Sequence, residues 1–147
     1  FRHHWAEIDG ESFWAHALGA DRYELRNVPF YAYGLNDGDV VVARSEKGDE
    51  FPVIERVERA SGHRTFRIMP ADDVGTEALL SAIESLESLG VGVERANATL
   101  LALDLPPGVD EDAVFDRLEE LESDGVLQFE TCERQVDDDF GASPDDA

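Results

Sequence analysis

The chain has 147 residues, with 34 acidic and 12 basic side chains, a formal net charge of −22 and a pI near 4.2. Hydrophobic residues make up 42%, which excludes wholesale disorder, and the length suits one ordinary domain or two very small ones. No apolar run reaches the roughly 18 residues that a bilayer crossing needs, and the single cysteine, Cys132, excludes an internal disulfide and a cysteine-based zinc cluster.

The first half reads as β. Residues 12–18 (SFWAHAL) are aromatic and apolar, and residues 22–34 alternate before turning at Pro29. Asn36-Asp37-Gly38 is a turn signal. The β-branched run 38–44 (GDVVVAR) predicts a central strand buried on both faces. A polar turn at 46–50 leads into a longer, less buried strand over 51–60. Short strands with a turn every ten residues or so predict a small β module, either barrel-like or a strongly bent sheet, over 1–62.

From about residue 64 the punctuation changes. RTFRIM (64–69) alternates as a strand, ending at Pro70. Residues 76–90 place Leu79, Leu80, Ile83, Leu86 and Leu89 on one helical stripe, with Thr76 as N-cap and Gly90 as the stop. Strands at 91–95 and 99–105 flank a turn at Ala96-Asn97-Ala98. Asp110 caps a second helix running to about Asp124 with Val114, Leu118 and Leu121 inward, and a last strand covers 126–134. Strand, helix, strand, strand, helix, strand is the ferredoxin-like βαββαβ plan, expected over 63–136 in an α+β protein. The acidic tail 137–147 is expected to be disordered.

Charge is uneven along the chain. Residues 1–70 carry 12 acids and 9 bases, whereas 71–136 carry 17 acids and only 3 bases. One reading is adaptation to molar internal salt, where a Debye length near 3 Å screens the repulsion. The other is an anionic face for a basic partner, such as a nuclease, on Asp110, Glu111, Asp116, Glu119 and Glu120. Either way, phosphate backbones are repelled, so direct nucleic-acid binding is disfavoured. The absence of a membrane span and the lone cysteine point to a cytoplasmic location.

The succession of Pro29, Phe30 and Gly34, then Gly38-Asp39-Val40-Val41, then Ser61-Gly62-His63 with Thr65 and Arg67, is similar to a known family. It resembles the family of domains of unknown function numbered 4265, over roughly residues 5–134. The resemblance implies no established activity. With the acidic composition, the expected source is a haloarchaeal member.

SGHRTFR (61–67) is the most pointed segment. A strand period of two puts His63, Thr65 and Arg67 on one face and Arg64, Phe66 and Ile68 on the other. An imidazole, a hydroxyl and a guanidinium in a row, with mobile Ser61-Gly62 amides, suit an anionic ligand. The plain alternative is a turn leading into an ordinary strand, and both readings stay open. Asp39 reads as a cap for turn amides. Asp37 and Asp39 lack the further oxygen ligands that calcium or magnesium need, and a zinc site from His16, His63 and a carboxylate has no spacing support. Trp5, Phe13, Trp14, Phe30, Tyr31 and Tyr33 can line a pocket or form core.

Enzymatic signatures are missing. GVG at 90–92 follows a helix and lacks a third glycine, and Ser61 with His63 has no triad spacing. Cys132 sits among carboxylates that disfavour a thiolate. The expectation is a binding or regulatory protein without catalytic residues, metal or cofactor. Its partner would be a protein or a small anion, and fold analogy points to a homodimer. The alternative is an inhibitor or immunity-type protein using its acidic face.

Overall fold

The computed structural model describes residues 2–3, 11–45 and 51–132. The polar turn at 46–50, Trp5 and the tail 137–147 lie outside the described residues. The chain divides into two compact units: one comprises the residues up to His63, the other spans Arg64–Cys132.

The first unit is a six-stranded sheet in the order β2-β1-β6-β5-β4-β3. Its strands are β1 (Arg2–His3), β2 (Glu11–Ser12), β3 (Ala15–Gly19), β4 (Arg22–Leu25), β5 (Val40–Arg44) and β6 (Val53–Arg59). Every pairing is antiparallel except the contact of β1 with β6. Of the two forms expected for this module, the barrel is not found: among the described residues the sheet stays open, with β2 and β3 at its edges. The run Val40, Val41, Val42, Ala43 is buried throughout, as a strand with both faces covered requires. One face of the sheet gathers Phe13, Leu25, Val41, Ala43 and Ile54 with Ala32 and Leu35 from the loop after β4. Phe13 is therefore core, and Tyr33 packs against the same cluster.

The β3–β4 hairpin turns through Gly19, Ala20 and Asp21, all three with positive φ (90°, 53° and 64°). Two consecutive left-handed residues suit the right-handed strand twist, but only glycine adopts that region without a steric cost.

The second unit runs β7 (Arg64–Pro70), α1 (Thr76–Glu87), β8 (Gly92–Asn97), β9 (Leu100–Leu105), α2 (Glu111–Ser123), β10 (Leu127–Thr131). Its strands form an antiparallel sheet in the order β10-β7-β9-β8. Both helices cover one sheet face. Phe66, Ile68, Leu101, Leu103, Leu105 and Leu127 meet Ala82, Leu86, Val114, Leu118 and Leu121 in one cluster. The opposite face also buries side chains, namely Thr65, Arg67 and Ala102.

Helix details refine the expected boundaries. Asp110 caps α2 by accepting from the Ala113 amide at 3.1 Å, and Gly90 takes φ +97° after α1. Thr76 is not the cap of α1: it is the first helical residue, and Gly75 before it offers no side-chain acceptor. Leu80 leaves the inner stripe and is 53% exposed, because the stripe that meets the sheet follows Ala82, Ile83, Leu86 and Leu89. The strand β8 continues to Asn97, and the turn follows it, closed by the Asn97 side chain accepting from the Thr99 amide at 2.8 Å.

Candidate functional site

Two of the sequence segments singled out above meet in the first unit. Asp39 is almost fully buried at the entry of β5. Its Oδ2 accepts from the Asn36 amide and its Oδ1 from the Ser61 amide, each at 2.9 Å. The Ser61 hydroxyl donates to the Asp37 carbonyl at 2.6 Å and accepts from the His63 amide at 3.1 Å. Gly38 holds φ +82°, and a Cβ placed on it would lie 3.0 Å from Ser61 Cβ. The loop before β5 and the turn after β6 are thus fastened face to face around one carboxylate. Burial pushes the Asp39 carboxyl above its ordinary value, while the amides of Ser61 and Asn36 and the nearby His63 pull it back. Asp39 serves as the cap for turn amides that its sequence context suggested. The Ser61 proton is committed to a backbone carbonyl, so this hydroxyl is not arranged as a nucleophile.

The candidate row divides at the unit boundary: Ser61, Gly62 and His63 belong to the first unit, Thr65 and Arg67 to the second. The pairing of β7 with β9 and β10 puts Thr65 and Arg67 on the sheet face opposite the helices, and Phe66 and Ile68 beneath them. Arg67 is only 1% exposed, and its Nε donates to Glu130 Oε1 at 3.0 Å from the neighbouring strand. Arg56 and Arg59 do not take the carboxylates beside them in sequence: Glu55 pairs with Arg44 and Glu58 with Arg22.

A second convergence was invisible in the sequence. The Glu11 carboxylate accepts from three consecutive amides, Phe30 at 2.6 Å, Tyr31 at 3.0 Å and Ala32 at 2.9 Å. Successive amides pointing to one place form an anion nest, and here a side chain of the same unit fills it. Contacts 19 to 21 residues apart leave no local pattern to read.

The aromatic residues separate into two populations. Phe13 is core, whereas Trp14 is 82% exposed and Tyr31 also faces solvent. The Trp14 backbone is nonetheless held at both ends: its amide donates to Asn27 Oδ1 at 2.8 Å and its carbonyl accepts from the Arg26 amide at 2.8 Å. Alternation puts Trp14, one residue before β3, on the same face as His16, and Leu18, at the register shift between Ala17 and Gly19, is also in solvent. Most of β3 is exposed beyond Ala15.

The five carboxylates considered as a partner face are partly employed within α2 and its neighbours. Asp110 caps the helix, Glu111 pairs with Arg64 and Glu120 with Arg117. Asp116 and Glu119 face a shallow hollow together with Glu120, Ser123 and Asp124.

Among the described residues, no helix is long and apolar enough to cross a membrane. No curated protein matches the chain. A solved structure, described as a "Novel crystal structure of a hypothetical protein from Neisseria gonorrhoeae", is similar with a TM-score of 0.72 at 19% identity. The likeness covers 85% of this chain and 84% of that one, and at this identity it concerns the fold alone. Residues 11–129 match the model of a family described as "Domain of unknown function (DUF4265)", and a match over most of its length places the chain in that family.

Proposed function

We propose that this chain is a binding protein that acts through a protein partner, and that the partner adds an extended segment to the β3 edge with Trp14 as its anchor. The observation that carries this reading is the Trp14 indole, 82% exposed beside an edge strand whose own backbone is fixed. Exposed tryptophans on a rigid frame are typical of binding hot spots, because their large surface is desolvated at little entropic cost. Edge strands normally carry lysine, proline, inward charge or a bulge against unwanted pairing; residues 15–19 (AHALG) have none of the first three, and the register shift between Ala17 and Gly19 leaves Ala15–Ala17 in regular pairing. Main-chain hydrogen bonds along the regular stretch before Leu18 would supply affinity, and the Trp14 indole would select an apolar segment. Residues 1–70 are also nearly charge-balanced, so the partner need not be basic.

Three finer readings accompany this one. The second unit is ferredoxin-like, supported by βαββαβ order with the sheet order β10-β7-β9-β8 and both helices on one face. The carboxylate-rich surface is an adaptation to concentrated salt, supported by the net charge of −22. A reducing cytoplasm is the proposed setting, in keeping with the single, buried Cys132.

The test is capture of a partner by the tagged protein from its own cells at molar potassium chloride, comparing the wild type with Trp14→Ser and with Asp116→Lys/Glu119→Lys. A stoichiometric partner retained by the α2 variant and lost by Trp14→Ser is the expected result. Loss only in the α2 variant would replace this reading with the acidic-face inhibitor. Concentration-dependent sedimentation of the purified chain as a dimer, abolished by Trp14→Ser, would assign the edge to a second copy instead.

A further inference from the structure

The second unit contains a cavity of about 390 Å³ between the start of α1 and the β8–β9 hairpin. It lies within the size range of small-molecule sites. Its wall mixes aliphatic side chains, Val74, Leu79, Leu80 and Ile83, with polar ones, Thr76 and Thr99 among them. Leu80, which turns away from the core stripe, is half in solvent at this place. Two charged side chains of opposite sign line the same cavity, Arg95 and Asp72.

Arg95 stands apart from the other arginines of its unit. Arg64, Arg67 and Arg117 are each bound to a carboxylate, Glu111, Glu130 and Glu120 respectively. Among the described residues Arg95 enters no ion pair, although residues 71–136 carry 17 acids. Its cross-strand neighbour on β9 is Leu101, which offers no counter-charge. A guanidinium kept from carboxylates in so anionic a body is complementary to a carboxylate brought from outside. Asp72 lines the cavity without taking that role, so a ligand meets one cationic and one anionic group beside the aliphatic side chains of Leu79, Leu80 and Ile83.

We propose that this cavity binds a free aliphatic amino acid, with its carboxylate on Arg95, its ammonium group near Asp72, and its side chain against Leu79, Leu80 and Ile83. A second acidic group on the ligand would be repelled by Asp72. The proposal is independent of the partner site on β3, which belongs to the other unit.

The test is a titration of the full chain in molar potassium chloride with leucine, followed by amide chemical shifts and calorimetry. The probes for comparison are 4-methylpentanoate, which lacks the amine, and isopentylamine, which lacks the carboxylate. The expected result is saturable shifts confined to the amides around Leu79, Ile83 and Thr99, with leucine bound at least tenfold tighter than either probe. Arg95→Gln should lower leucine affinity at least tenfold, while Asp72→Asn should bring leucine and 4-methylpentanoate to similar affinity. Both residues are exposed, so neither change threatens folding, and an unchanged melting temperature checks this. The proposal is overturned by the absence of localised shifts at tens of millimolar leucine, by full affinity in Arg95→Gln, or by equal binding of leucine and 4-methylpentanoate to the wild type.

Discussion

The carboxylate of Glu11 offers the sharpest test of how the loop after β4 is held. Removing it in Glu11→Ala leaves three consecutive amides without their acceptor. A hydrogen bond to a charged group contributes about 1.5–3 kcal/mol, but an amide that water can reach recovers most of its loss. Tyr31 is exposed and should recover, whereas Ala32 is fully buried and Phe30 half-buried. Counting Ala32 fully and Phe30 in part gives a destabilisation of about 2–4 kcal/mol. Glu11→Gln keeps one oxygen but turns an NH₂ group towards an amide donor, so it should cost about 1–2 kcal/mol. Urea unfolding in molar potassium chloride gives the global value, and native-state hydrogen exchange gives the local one. Exchange at Phe30 and Ala32 should accelerate by tenfold or more in Glu11→Ala. Unchanged exchange at these two amides, together with an unchanged urea midpoint, would refute the argument, since the nest would then be satisfied by something other than Glu11.

Other positions give predictions of different sign. Ala20→Gly should stabilise the protein by about 0.5–1 kcal/mol, because the left-handed φ of 53° strains an alanine more than the added chain entropy of glycine costs; a lower thermal midpoint would contradict this. The Asp39 carboxyl is raised by burial, so its contribution to stability is present below about pH 4 and is lost as pH rises through its folded midpoint. The stability of wild type minus Asp39→Asn, measured by urea unfolding, should therefore fall between pH 3 and 7, while a rising difference would mean that the two amides outweigh burial. With a net charge of −22, the melting temperature should climb steeply from low to molar potassium chloride, and a flat profile would remove the salt-adaptation reading.

What the sequence announced and what it concealed follow from the range of the interactions. The second unit was legible because its signals are local: the stripe of Val114, Leu118 and Leu121, the Asp110 cap, and the alternation of Phe66 and Ile68 each need only a few neighbouring residues. The buried β5 was legible for the same reason, since an unbroken β-branched run admits few other uses. Leu80 misled because a leucine one position from the stripe looks like part of it until the helix is docked on its sheet. The Asp39 cap was readable at its turn, but its bond to Ser61 spans 22 residues and joins two motifs that appear unrelated in a linear reading. Glu11 and its three amides had no signature at all. Arg95 did have one, as the only base between residues 71 and 116, but a lone base acquires meaning only when its surroundings are known.

The fit between Gly38 and Ser61 constrains how related chains can diverge. A methyl group at position 38 would sit 3.0 Å from Ser61 Cβ, and the left-handed φ there penalises any side chain a second time. Replacing Ser61 by glycine would relieve the first problem but would also remove the hydroxyl that ties Asp37 to His63. The two positions should therefore drift together in relatives, glycine at 38 accompanying a small hydroxyl residue at 61, with few viable intermediates between that pairing and any other. Random substitution restricted to these two sites, scored by soluble expression, would draw the boundary of the permitted pairs.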